Sequence, residues 1–129
     1  EHDMKAEEIK RLNIDSYLTK SCFSRKLKTK GGVIILAEKG FELRGVTVPD
    51  GLCNVLLEEL QFEFCACTWS INKEKYLIIG IYRSPKSDVN IFLDRLSILI
   101  VYFCKKYDKI IVAGDLNIDV LVLDSKQDY

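Results

Sequence analysis

The chain has 129 residues, 48% of them hydrophobic and 29% charged, with 19 basic and 19 acidic side chains. That composition excludes a disordered tail and allows one globular domain or part of one. Zero net charge argues against a surface that binds polyanions everywhere, and leaves room for one basic face.

The chain begins at Glu1 and ends in the polar run Asp124-Ser125-Lys126-Gln127-Asp128-Tyr129, so either end reads as a cut through a longer reading frame. The charged start lacks the apolar stretch of a secretory signal. The most apolar segment, Ile98 to Cys104, is far shorter than the ~20 apolar residues that span a bilayer. An intracellular protein without a membrane partner is expected.

Met4 to Ile14 predicts a short helix, with Met4, Ile9 and Leu12 on a loose apolar face. Tyr17 to Ser24 predicts a strand. Arg25-Lys26-Leu27-Lys28-Thr29-Lys30-Gly31-Gly32 is a basic loop ending in glycines, and Val33 to Ala37 reads as a buried strand. With Lys20, this loop carries no acid between residues 20 and 30. Arg25 and Lys26 are its candidates for contact with a nucleic-acid backbone, against a purely solvated loop.

Phe41 to Val48 predicts another strand, and Pro49-Asp50-Gly51 a turn. Leu52 to Leu60 fits neither period. Phe62, Phe64 and Ala66 alternate with Glu63, Cys65 and Cys67, which predicts a strand running to about Ser70. Asn72-Lys73 suits a tight turn into a strand over Tyr76 to Tyr82. The five cysteines have no disulfide-framework or zinc-ligand spacing and read as structural thiols of a reducing compartment.

The last third is the plainest. Arg83-Ser84-Pro85 stops the strand that ends at Tyr82, and Asp88 is placed to cap a helix. Phe92, Leu96, Leu99 and Phe103 follow helical spacing, and Ile110 to Ala113 gives a second buried strand closed by Gly114. In a parallel strand–helix–strand unit, Tyr82 and Asp115 stand at the carboxyl ends of the two strands, where α/β proteins place their chemistry.

Three features are candidates for chemistry. In Gly114-Asp115-Leu116-Asn117 a carboxylate and an amide two residues apart can serve one site, or form a polar turn. Tyr82 and Arg83 can both reach a phosphate, Arg83 through its bidentate fork, or close the core before a proline stop. Glu1 offers an oxygen ligand for a hard cation, or is solvated charge. Asp119, Asp124 and Asp128 read as ordinary surface acids.

Taken together, Gly31-Gly32-Val33-Ile34-Ile35-Leu36, Ile81-Tyr82-Arg83-Ser84-Pro85, the amphipathic helix, and Val112-Ala113-Gly114-Asp115-Leu116-Asn117-Ile118-Asp119 resemble the endonuclease/exonuclease/phosphatase family. The likeness is greatest to the endonuclease domain of non-LTR retrotransposon polyproteins. Glu1-His2 with Met4 and a short helix resembles that group's segment after its metal-binding glutamate.

The resemblance implies a DNase I-like, two-sheet α/β sandwich with helices outside, of which residues 1–129 form an incomplete domain. It implies Glu1 as a ligand of Mg2+ or Mn2+, and Tyr82 beside the scissile phosphate. Asp115 would orient or deprotonate the attacking water, and Asn117 would stabilise the transition state. It implies DNA as partner, a reverse transcriptase domain in the same polyprotein, and nuclear action.

This chain departs from the family in two places. It has no asparagine upstream of Glu1 and no Ser-Asp-His segment after Asn117, and His2 does not match the family's catalytic histidine. Negligible cleavage by this polypeptide alone is expected, because a cooperative catalytic set loses orders of magnitude with its members. Poor solubility is expected from uncovered strand edges. A non-catalytic remnant or interaction module, and a phosphatase or exonuclease of the same family, are the competing readings.

Overall fold

The computed structural model describes residues 1–28 and 30–119; Asp124 and Asp128 lie outside them. Nine elements follow in order. They are α1 (Ala6–Lys10), β1 (Tyr17–Phe23), β2 (Val33–Glu38), β3 (Leu43–Gly45), α2 (Asp50–Leu56), β4 (Glu63–Ile71), β5 (Glu74–Tyr82), α3 (Val89–Cys104) and β6 (Lys109–Asp115). They build a mixed α/β fold with two sheets: an antiparallel pair β1-β2, and a four-stranded sheet in the order β3-β4-β5-β6.

Local chemistry explains most boundaries. Asn72 and Lys73 both take left-handed backbone, at φ 50° and 66°, the geometry of the two-residue hairpin turns that match strand twist. They join β4 to β5 in unbroken antiparallel register from Ile71↔Glu74 to Glu63↔Tyr82. The Asp88 side chain accepts hydrogen bonds from the N–H of Asn90 (2.8 Å) and Ile91 (3.1 Å), capping α3. Phe92, Leu99 and Phe103 are the fully buried stripe of that helix.

Several expectations shift. The first helix shrinks to Ala6–Lys10, and the strand over Phe41 to Val48 survives only as Leu43–Gly45. The turn expected at Pro49-Asp50-Gly51 is instead the start of α2, which takes in Asp50, Gly51 and the first part of the undecided stretch, to Leu56, and begins directly after Pro49, a residue with no N–H to lose at a helix start. Gly114 does not end β6: the strand runs on to Asp115.

The four-stranded sheet is buried on both faces at its centre. Phe62, Phe64, Ala66, Leu77, Ile79 and Ile81 pack with Phe92, Leu99 and Phe103 of α3 and Leu56 of α2. On the opposite face Cys65 and Tyr82 pack with Val33 and Ile35 of β2. The helices α2 and α3 and the small sheet thus cover opposite faces. The strand β6, expected to be buried, is instead an edge strand, and Ile111 (42% exposed) and Val112 (39%) are uncovered there. Among the described residues no helix is long and apolar enough to cross a membrane.

Candidate functional site

The parallel pairing of β5 with β6 sets the site. Register partners run from Tyr76↔Lys109 to Tyr82↔Asp115. Register partners in neighbouring strands leave the backbone on the same face, so Tyr82 and Asp115 are neighbours in the backbone at the strands' carboxyl ends. Gly114 makes this pairing possible: its φ is +150°, and a Cβ there would overlap the Ile81 carbonyl oxygen.

The loop after β6 is tied to the loop after β5. The Arg83 N–H donates to the Asp115 carbonyl at 3.0 Å. The Asp115 carboxylate accepts the Asn117 N–H at 3.0 Å, and the Asn117 side-chain amide donates to the Arg83 carbonyl at 2.7 Å. Asn117 itself takes left-handed backbone at φ 48°, which asparagine tolerates better than most residues. The Arg83 guanidinium donates to the carbonyls of Leu116 (2.7 Å), Asn117 and Ser87 (2.6 Å), and to the Ser87 hydroxyl (3.0 Å). Arg83 is 3% exposed. Its fork holds the 115–117 loop from within the protein, so the phosphate contact considered for it from sequence is replaced by a scaffold role.

Glu1 reaches Tyr82 from the other end of the chain. The Asp3 N–H donates to the Gly31 carbonyl at 2.9 Å, and the Asp3 carboxylate accepts the Lys30 N–H. His2 contacts the Phe23 carbonyl through Nε2 at 2.9 Å, while its Nδ1 accepts the Met4 N–H at 3.0 Å. Nε2 thus holds the first residues against the end of β1, while Nδ1 bonds locally. That leaves Glu1 beside the Tyr82 phenol. Burial raises the phenol's pKa, and the charge of Glu1 and a hydrogen bond to it push the same way; Ser84 and Arg25 oppose them.

Arg25 lies beneath this pair. Its Nε donates to Glu63 at 2.6 Å, its Nη2 to the Ser84 hydroxyl at 3.1 Å and its Nη1 to the Lys30 carbonyl. Its Cζ sits 5.6 Å from the Tyr82 ring centroid. The Arg25 side chain is 4% exposed and that of Glu63 0%. Glu63 also accepts the N–H groups of Gly32 (2.8 Å) and Leu60 (2.9 Å). Gly31 leaves room for the guanidinium, which a Cβ at that position would overlap. Arg25 is thus a buried organiser, and of the two basic-loop candidates only Lys26 is exposed.

A cleft of about 660 Å³ opens over these groups, lined by Glu1, Arg25, Lys30, Glu59, Tyr82 and Lys86 among others. That volume falls within the range of small-molecule sites. Asp115 and Asn117 are outside its lining, so the structure brings Glu1 and Tyr82 together in the cleft and sets the Asp115 pair beside it, one strand over.

Among the described residues no three His, Cys, Asp or Glu side chains gather into a cluster able to hold a metal by themselves. Magnesium asks for less, commonly one or two carboxylates with water and phosphate oxygens completing its shell. The Glu1 carboxylate at the cleft fits that limited donor set.

Sequence reasoning missed Glu63, which alternation placed with the cysteine face without showing that it is buried. It also missed Ser84, Lys30, Lys86 and Glu59 as cleft residues. An acid inside the run Phe62-Glu63-Phe64, opposite a lone arginine before two glycines, was the available signal. No family model, curated protein or solved structure matches this chain.

Proposed function

We propose that this chain is part of a DNase I-like, magnesium-dependent phosphodiesterase of the endonuclease/exonuclease/phosphatase type, derived from a retroelement DNA endonuclease. The observation that carries the reading is the Tyr82↔Asp115 register with Glu1 beside the same phenol. It gives a hydrogen-bond donor, a carboxylate able to orient water, and a carboxylate able to hold a hard cation at one sheet edge.

Within this reading Glu1 would hold Mg2+ or Mn2+, and the metal when bound supplies charge to polarise a phosphoryl oxygen. Tyr82 donates its phenolic hydrogen to a phosphate oxygen. Asp115 would orient the attacking water, and the Asn117 amide, one of whose hydrogens goes to the Arg83 carbonyl, would offer the other to developing negative charge. DNA is the substrate, and a reverse transcriptase domain shares the parent polyprotein, which acts in the nucleus. This polypeptide carries no Ser-Asp-His segment, so it lacks part of the acid–base set and cleaves negligibly by itself.

Incubation of the polypeptide with supercoiled plasmid and Mg2+, beside Asp115→Ala, tests the inactivity. No nicking above the variant's background is expected. Robust nicking lost in Asp115→Ala would overturn that part while supporting the assignment of Asp115. Release of nitrophenol from a nitrophenyl phosphate ester, without plasmid nicking, would favour the small-phosphoester reading instead.

A further inference from the structure

We propose that the backbone amides of Lys26, Leu27 and Lys28 form a phosphate-binding nest, that Glu59 plugs it in cis, and that a phosphate group entering the cleft takes the carboxylate's place. The inference goes beyond the catalytic reading and does not depend on it.

Three successive N–H groups converge on one carboxylate. Lys26 donates to Glu59 Oε1, Leu27 to Oε1 and Oε2 at 3.1 and 3.2 Å, and Lys28 to Oε2 at 2.8 Å. Consecutive amides pointing to one spot make the concave anion site seen where proteins bind phosphate. Burial works to raise the Glu59 pKa, yet the amides of Lys28, Lys26 and Leu27, with the charge of Lys5, hold it below the ordinary range. The nest is therefore a competent anion site, and its present occupant is an anion supplied by the chain.

The loop does not depend on that carboxylate alone. The Lys5 ammonium donates to the carbonyls of Arg25 (3.1 Å), Lys26 (3.4 Å) and Lys28 (3.1 Å) from the opposite side. Arg25 pins the Lys30 carbonyl. A loop fixed at its carbonyls keeps its amides aimed outward when the anion is exchanged, which lowers the ordering cost of a new ligand.

Charge favours a phosphate over the carboxylate. The ammonium groups of Lys26, Lys28 and Lys30 make no hydrogen bond or ion pair with any described residue. Glu59 supplies one negative charge; a free phosphate supplies more charge and more acceptor oxygens for the same amides, and a strand phosphodiester matches that single charge while its neighbouring phosphates reach those lysines. Glu59 and Lys30 both line the cleft that holds Tyr82, whereas Lys26, Leu27 and Lys28 lie outside its lining, so the plug stands in the cleft wall with the nest behind it. The ligand chemistry is a phosphate group, carried either by a nucleic-acid strand or by a free anion.

Amide-resolved NMR titration of the whole polypeptide tests this, comparing wild type with Glu59→Ala. One arm uses inorganic phosphate, the other a short oligothymidylate, each against matched chloride. The expected result is that the Lys26, Leu27 and Lys28 amides respond about tenfold more tightly in Glu59→Ala, the gain from removing a plug that occupies the nest roughly nine-tenths of the time. A response to oligothymidylate alone assigns the seat to strand phosphates, and a response to both assigns it to phosphate generally. If the variant's loop loses order, its restoration by either ligand supports the proposal. A loop that stays disordered, or equal responses in the two proteins, or no response at these amides, overturns it and leaves Glu59 as a loop staple.

Discussion

Glu63 and Tyr82 face each other across β4 and β5 and share one guanidinium: Arg25 ion-pairs with Glu63 at 2.6 Å and lies 5.6 Å from the Tyr82 ring centroid. Removing one member of a buried ion pair strands the other charge. Arg25→Met is therefore expected to cost ~3–5 kcal/mol, read as a lower urea midpoint. The double change Arg25→Met with Glu63→Gln should recover a large part of that loss. A single variant as stable as wild type would contradict the role assigned to the pair.

Gly114 brings β6 within bonding distance of β5 only because it lacks a Cβ. Gly114→Ala is expected to destabilise by about 3 kcal/mol or more, through overpacking against backbone and a strained φ. Gly51→Ala is the control, since nothing lies within 4 Å of its absent Cβ and it sits in α2. That change should be neutral or stabilising by up to ~1 kcal/mol. Thermal denaturation of the two variants compares them directly.

The Glu59 contacts carry a pH signature. A carboxyl whose folded pKa is depressed contributes stability that is fully present above its unfolded pKa and lost as pH falls through the lower folded value. The depression arises from the loop amides overcoming burial. The Leu27 and Lys28 amide shifts should then titrate with a midpoint below that of an ordinary glutamate. A midpoint at or above the ordinary value would remove the carboxylate from the nest.

Thiol reactivity should divide by position. Cys22 and Cys104 are exposed, whereas Cys65 and Cys67 are buried. Burial drives the Cys65 thiol up to about 12, so almost no thiolate exists there at neutral pH. Brief alkylation of the native protein followed by peptide mapping should label Cys22 and Cys104 and spare Cys65 and Cys67. Early labelling of Cys65 would mean that the two sheets separate readily.

The elements whose pattern is local were legible in the sequence. Asp88 announced α3, Asn72-Lys73 announced the β4–β5 hairpin, and the apolar runs ending at Tyr82 and Ala113 announced the parallel pair. Phe41 to Val48 misled because alternation cannot tell how much of a strand finds a partner: the ladder with β4 covers Leu43–Gly45, and beyond it only the Val46 N–H reaches Ala66. Arg25 and Arg83 misled for a different reason. Basic residues in loops are usually solvated, and only tertiary structure reveals that each is surrounded by acceptors. Glu63 was invisible as a site residue because its partner lies 38 positions away.

The proposed function requires a divalent ion at Glu1, shared with the Tyr82 and Asp115 strand ends. Substoichiometric Mn2+ added to 15N-labelled protein tests it most directly, through paramagnetic broadening of nearby amides. The expected result is earliest broadening at His2, Tyr82, Arg83, Asp115 and Leu116, reversed by excess Mg2+ and strongly reduced in Glu1→Gln. Broadening centred on outlying acids such as Glu7 and Glu8, or spread evenly over the surface and indifferent to Glu1→Gln, would contradict it.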